Sequence, residues 1–353
     1  MPIDRMHILK LPRGNGLGVV HPHSLYVIGD SLPYWLYYTP YPPDDAELPF
    51  LVKSSDGINF SDSGVNNPLL DRGGGDSWDG HHLADVDVVK HGKRWYMYYA
   101  GASYKNNFKM ISIGLATSDD GVNWVKFDGN PILSPDSRYW WESGTTRIRG
   151  LSCPTVFVYD GIFYMYYAAI GRDGISRISL AVSSDGISFR KVGVVLEPTY
   201  SWELLGMDHP HVSIYRDKIV LLYLGHSECT RSLGIGIGSL KDPKKILKSP
   251  EPLFSTGIGR KLCFKKNRLI KSINLLSRAA IKYVIARFKR NTGFFTGIGA
   301  LYRSSFLTYP NKDIVVSSGN ARIYISAYDI LTNLPAIGVS EIEIGRLKQF
   351  EET

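Results

Sequence analysis

Cysteine is scarce in this chain. Cys153, Cys229 and Cys263 are the only three, an odd number with no CxxC pair and no disulfide-framework spacing. That excludes a disulfide-stapled scaffold, and the thiols read as reduced and structural, as expected of a cytoplasmic protein. Long apolar runs are also missing. The opening Met1-Pro2-Ile3-Asp4-Arg5 holds no stretch of signal-peptide length, and no later segment is long enough to cross a bilayer. Acid is absent from one region: residues 252–312 contain no Asp or Glu, while eleven Lys and Arg fall within 260–290. Removing those eleven from the formal net charge of +8 leaves about −3 (8 − 11), so the basicity is local. With 44% hydrophobic and 21% charged residues, the composition excludes disorder and collagen-like repeats.

What is abundant is tyrosine, with 22 residues, and glycine, with 35, a pairing that suits twisted strands joined by tight turns. Laid on itself, the chain repeats one strand four times: Tyr34-Trp35-Leu36-Tyr37-Tyr38, Trp95-Tyr96-Met97-Tyr98-Tyr99, Phe163-Tyr164-Met165-Tyr166-Tyr167 and Ile219-Val220-Leu221-Leu222-Tyr223. Three repeats go on to an Asp-Gly turn closed by an aromatic, at Asp56-Gly57 with Phe60, Asp120-Gly121 with Trp124, and Asp185-Gly186 with Phe189. Each repeat begins with an inner strand, such as Val86-Asp87-Val88-Val89, Pro154-Thr155-Val156-Phe157 or Pro210-His211-Val212-Ser213. A fifth unit fits 300–343, with strands at 300–306, 313–318, 322–327 and 337–343, and residues 6–11 are placed to close it. Units of four strands repeated radially predict an all-β fold. The expected architecture is a single domain over 1–353, a five-bladed β-propeller of four-stranded antiparallel blades, with 258–294 inserted between blades four and five.

The pairs Trp78-Asp79, Trp141-Glu142 and Trp202-Glu203, the tyrosine strand, Ile113-Gly114-Leu115-Ala116-Thr117-Ser118-Asp119-Asp120-Gly121 and Asn130-Pro131-Ile132-Leu133 together resemble the five-bladed glycosidase superfamily. That superfamily includes glycoside hydrolase families 43, 32, 68 and 130, and the resemblance covers roughly residues 15–345 outside the basic insert. It implies a family 43 pattern: an Asp base from the first blade, a pKa-tuning Asp from the second and a Glu acid from the third. Alignment on the inner-strand prolines and tyrosine strands puts His21, Asp87 and Ser152 at those places, so the triad has departed at two of three.

Other chemistry gathers at the same strand starts. Asp87 or Asp85 is the expected base, and Asp208 or Glu142 the expected acid, since glycosidic cleavage uses two carboxyl groups. His21, His23, His82, Ser152, Arg149, His209, His211 and Arg303 are expected to contact substrate. His21, His23, His209 and His211, with Asp87 or Asp208, are also types that ligate a divalent metal. Hydrogen bonding to sugar hydroxyls is the preferred role, so no cofactor is expected. Arg147, Arg149 and Arg303 suit phosphate or carboxylate, or else pair with Glu142 and Glu203. Trp78, Trp140, Trp141 and Trp202 either stack on sugars or, because they recur, serve the blades.

The function expected is a glycoside hydrolase acting on an oligo- or polysaccharide. The alternatives are a phosphorylase or glycosyltransferase of polysaccharide or glycoconjugate metabolism near a membrane, or a carbohydrate-binding propeller without activity. In the insert, Leu269, Ile273, Leu276, Ala280, Val284 and Phe288 recur at helical steps, and Lys271, Arg278, Lys282 and Lys289 fall mostly off that stripe. A basic amphipathic helix there either touches a membrane surface through 260–290 or caps the propeller. No nucleic-acid recognition motif accompanies the charge, so no specific nucleic acid is expected.

Overall fold

A computed structural model describes residues 6–14, 16–42, 46–228, 230–256, 298–329 and 335–345. These residues are all-β, with no α-helix among them. The basic stretch 258–294, expected as a helix, and its membrane contact at 260–290 lie outside the described residues. No helix among the described residues is long and apolar enough to cross a membrane.

After a short N-terminal strand, β1 (His7–Ile8), the strands run as successive antiparallel meanders. The first is β2 (Gly18–Tyr26), β3 (Tyr34–Tyr41) and β4 (Phe50–Ser54). The second is β5 (His82–His91), β6 (Arg94–Lys105), β7 (Phe108–Ser118) and β8 (Val125–Lys126). The third is β9 (Ile148–Tyr159), β10 (Ile162–Ile170), β11 (Ser176–Ser183) and β12 (Arg190–Leu196). The fourth is β13 (Gly206–Tyr215), β14 (Lys218–His226), β15 (Arg231–Ser239), β16 (Asp242–Lys248) and β17 (Phe254–Thr256). The last comprises β18 (Ile298–Phe306), β19 (Val316–Ser317), β20 (Asn320–Asp329) and β21 (Pro335–Glu343). Their first strands neighbour one another in the cyclic order β2, β5, β9, β13, β18 and back to β2, consistent with a β-propeller. A short parallel pairing of Met110 with Arg149 and Ile111 with Gly150 ties β7 to β9.

The last meander corrects one expectation. Residues 313–318 do not form its second strand: β20 pairs directly with β18, and β19 is only two residues long. Asp313 and Ile314 make isolated bridges to Ile214 and Thr308. The fourth strand is β1, which pairs with β21 through His7–Val339 and Ile8–Gly338, as anticipated for residues 6–11.

Each sheet is covered on both faces, so the repeated strand is apolar throughout. Tyr37, Tyr38, Tyr98, Tyr99, Tyr166, Tyr167, Tyr223 and Tyr324 are all fully buried. A buried phenol needs a hydrogen-bond partner. Several find it on the adjacent meander: Tyr37 donates to the Gly121 carbonyl (2.7 Å), Tyr98 to Gly186 (2.8 Å), Tyr166 to Pro243 (2.7 Å) and Tyr324 to Gly57 (3.0 Å). The Asp-Gly turns therefore serve two purposes. They close their own hairpins at positive φ (74° at Gly57, 76° at Gly121, 74° at Gly186) and receive the neighbour's tyrosine.

The tryptophan–acid pairs repeat for a structural reason. Asp79 meets Lys126 at 2.6 Å, Glu203 meets Lys248 at 2.6 Å, and Glu142 is in close contact with Lys191. Each lysine stands on the outer strand of its meander. The rings lie flat on glycines: a Cβ at Gly101 would come within 2.3 Å of Trp78, and one at Gly225 within 2.5 Å of Trp202.

Candidate active site

All five first strands are interrupted at the same level. The pairing register slips between Val20 and His23, Ala84 and Asp87, Asp208 and His211, and Leu301 and Ser304, and opposite Tyr166–Ala168 on β9. At four of these bulges the backbone turns left-handed: His21 (φ 57°), Asp85 (56°), Cys153 (51°) and His209 (48°). Side chains bearing a Cβ pay about 1–2 kcal/mol for that conformation, and such strain concentrates at working sites. The bulges aim His21, Asp85, Cys153, His209 and Tyr302 into one cavity of about 220 Å³, whose wall is completed by Tyr41, Glu47, His82, Lys109, Ser152 and Asp208 among others.

Asp85 lies at the centre of this set. Its Oδ1 is 3.0 Å from His21 Nδ1 and 3.7 Å from His209 Nε2, while the Cys153 thiol donates to its Oδ2 at 3.2 Å. The far nitrogen of each imidazole meets another carboxylate. His21 Nε2 is 3.4 Å from Glu47 Oε2, and His209 Nδ1 is 2.7 Å from Asp208 Oδ1. His226 Nε2 reaches the same Asp208 oxygen at 2.8 Å, and Thr39 donates its hydroxyl to Glu47 at 2.5 Å. Tyr302 stands edge-on to both the His21 and His209 rings, at 6.0 and 6.5 Å. Burial presses the His21 imidazolium down, yet Asp85 and Glu47 outweigh it and lift its pKa to about 10. Burial likewise opposes ionisation of Asp85 and Asp208. The imidazoles around them prevail, and both carboxyls lie far below the usual range.

Two residues further along the strands lies a second, closed layer. Asp87 is fully buried, as are His23 and His211. Its carboxylate takes Lys312 Nζ at 2.7 Å, the Val156 amide at 2.9 Å and the Thr155 hydroxyl at 3.0 Å, with Arg303 at 3.4 Å and His23 at 3.3 Å. This bond to Val156 belongs to a series. The Val88 amide donates to His23 Nε2 (3.2 Å) and the Val212 amide to the Thr155 hydroxyl (3.0 Å), each joining one first strand to the next.

Of the residues singled out from sequence, His21, His82, Asp85, Ser152, Asp208 and His209 line the cavity. His23, Asp87, His211 and Arg303 are buried and do not line it, and Asp87 accepts the Val156 amide of the next first strand. Glu142 is held by Lys191 and the Asp136 amide in the repeated tryptophan–acid pair, and Arg149 donates to the Ser143 carbonyl; neither lines the cavity. The register aligned on prolines and tyrosines set Asp87 opposite His21, but the bulges set Asp85 there. Glu47, Lys109, Cys153, His226 and Tyr302 went unread. Cys153 had a local signal, since it precedes a proline as His21 and His209 do; Glu47 comes from a connecting segment with no repeat to mark it.

The fold is similar to that of several solved glycoside hydrolases. A thermostable family 43 glycoside hydrolase superposes with a TM-score of 0.61 at 15% identity, covering 92% of this chain and 89% of that one. The family 32 β-fructofuranosidase of Bombyx mori gives 0.61 at 16% identity, covering 98% and 64%. An α-L-arabinofuranosidase from Lactobacillus brevis gives 0.59 at 15%, covering 93% and 92%. Among curated proteins, a 1,2-beta-oligomannan phosphorylase of Thermoanaerobacter sp. (strain X514) is 37% identical over 93 residues, 25% of this chain and 28% of that protein. A beta-1,2-mannobiose phosphorylase of the same strain is 24% identical over 144 residues, 37% and 45% of the two chains. The chain thus spans less than half the length of these curated relatives. No family model matches.

Proposed function

We propose that this chain is a five-bladed β-propeller enzyme acting on a glycosyl bond, with Asp85 as the principal carboxylate of the central pocket and Asp208 as the second. The five meanders are taken as its blades. The observation that carries the reading is the set of inner-strand bulges, which spend backbone strain to aim Asp85, His21 and His209 into one cavity at the axis. In the reaction, the bond between the anomeric carbon and the leaving oxygen breaks, an acceptor oxygen bonds to that carbon and gives up its proton, and that proton is made good on the leaving oxygen. Asp85 is placed to stabilise positive charge developing on the sugar. In this reading His82, Ser152 and Tyr302, which line the wall, hold sugar hydroxyls and a ring face.

A second reading takes phosphate as the acceptor in place of water. The two curated relatives described above bear phosphorylase names, and Lys109 stands in the pocket wall. The deciding assay incubates the protein with β-1,2-linked mannosides and a wider glycoside panel, with and without inorganic phosphate. Free sugar released without phosphate supports hydrolysis, and sugar 1-phosphate formed only with it supports phosphorolysis. Asp85→Asn is expected to lower kcat by about 10²–10⁴-fold while the thermal transition stays cooperative. Saccharide binding with no turnover anywhere in the panel would leave a binding protein and sink the enzymatic reading.

A further inference from the structure

We propose that His21, Asp85 and His209 form a binding site for one divalent transition-metal ion of the zinc class, open on one side to the pocket. The donor atoms, His21 Nδ1, Asp85 Oδ1 and His209 Nε2, all lie within 4.8 Å of one another. A tetrahedral site with bonds of about 2.1 Å spaces its donors about 3.4 Å apart, so small side-chain movements close the set around an ion. His21 Nδ1 and Asp85 Oδ1 are buried, yet neither makes a hydrogen bond of acceptable geometry. The two lie 3.0 Å apart as an ion pair that no hydrogen bond joins, and a cation coordinated by both would satisfy them together.

The far side of each imidazole supplies an independent argument. A metal-bound histidine typically gives its other ring N–H to a carboxylate, which fixes the tautomer and turns a lone pair towards the ion. His21 does this with Glu47 (3.4 Å) and His209 with Asp208 (2.7 Å). Two separate carboxylates thus orient two separate imidazoles towards a third carboxylate. Two nitrogens and one oxygen with a free position match the donor preferences of Zn²⁺ and its neighbours.

The layer beneath shows that residue type alone does not make such a site. His23, Asp87 and His211 also cluster, but Asp87 is already held by the Lys312 and Arg303 cations and is closed to solvent. Asp85 meets imidazoles and a thiol instead, and faces the cavity. The catalytic consequence rests on the pocket being the active site as read above: the open position would take a water or a sugar hydroxyl.

The test uses the full chain, stripped with chelator, dialysed, and titrated with Zn²⁺ by calorimetry, with bound metal counted by mass spectrometry. One ion per chain is expected, with a zinc-dependent rise in melting temperature. His209→Ala and Asp85→Asn should each weaken binding at least tenfold, and Asp208→Asn, which meets His209 on the ring's far side, by about 10–100-fold. Wild-type protein that binds no Zn²⁺ and shows no rise in melting overturns the site, whatever the variants do. Binding undiminished in both His209→Ala and Asp85→Asn overturns it too. Zinc bound at this site without turnover of any glycoside would remove the enzymatic reading and leave the metal site standing. Turnover by protein that binds no zinc would do the reverse.

Discussion

Asp85 and Asp87 stand two positions apart on β5, and their surroundings give them different work. Asp87 is closed from solvent among Lys312, Arg303, Thr155 and the Val156 amide, so its charge is spent on holding strands together. Burial draws Lys312 down to about 8 against the pull of Asp87, the mark of an ammonium tolerated only because its partner is there. Asp87→Asn should therefore cost about 3–5 kcal/mol in urea unfolding, since it strands two buried cations. A loss below about 1 kcal/mol would contradict the hub. At this scale the sequence marks that carboxylates and histidines gather at strand starts. It does not mark which of two neighbouring aspartates reaches the cavity, because alternation is broken by a bulge that leaves no composition signal.

At the scale of the element, the Asp-Gly turns were legible because everything that makes them lies within six residues. Ser54, Asp56 and Gly57 bond to one another, and Asp56 accepts the amides of Ile58 and Asn59; Asp120 and Asp185 repeat the pattern. Slight burial opposes ionisation of Asp120, but the Asn123 and Val122 amides hold its carboxyl down at about 2. Asp56 and Asp185 are depressed as well, the first chiefly by the Asn59 amide and the second by the Ser183 hydroxyl. A carboxyl whose folded pKa lies below its unfolded value near 3.8 stabilises the fold above that pH and loses the contribution as pH falls towards 2. The melting temperature should drop between about pH 4 and pH 2, and Asp56→Asn, Asp120→Asn and Asp185→Asn combined should flatten that slope. An acid limb unchanged in the triple variant would refute the assignment. What the turn's own sequence does not announce is its second use, as acceptor for the next meander's tyrosine.

For the whole molecule, closure depends on a strand from the opposite end of the chain. β1 completes the last sheet beside β21, and Met6, Leu9 and Leu11 around it are buried, at 0, 3 and 8% exposure. Burying each such side chain contributes about 1.5–3 kcal/mol. Removing residues 1–11 should accordingly shift the denaturant midpoint well down, measured by tryptophan fluorescence, and an unmoved midpoint would show that the ring closes without β1. The sequence assigns four strands to the last unit and lets residues 6–11 add one more beside them; β1 does pair with β21, but as the fourth strand and not a fifth. The sequence does not locate the last unit's second strand, because the hairpin from β18 to β20 carries a longer excursion than its counterparts.

The sequence alone determined the all-β class, the repeated tyrosine strand, the Asp-Gly turns and the clustering of histidines and aspartates at strand starts. All of these depend on repetition along the chain and on short-range hydrogen bonds, which a single strand and its turn express locally. Tertiary structure decided which of those side chains share the cavity. One extra residue at each inner-strand bulge re-aims the side chains around it. That displacement sends Asp85 to the pocket, leaves Asp87 beneath it, and brings Glu47 and Asp208 behind the two imidazoles from segments far apart in the chain.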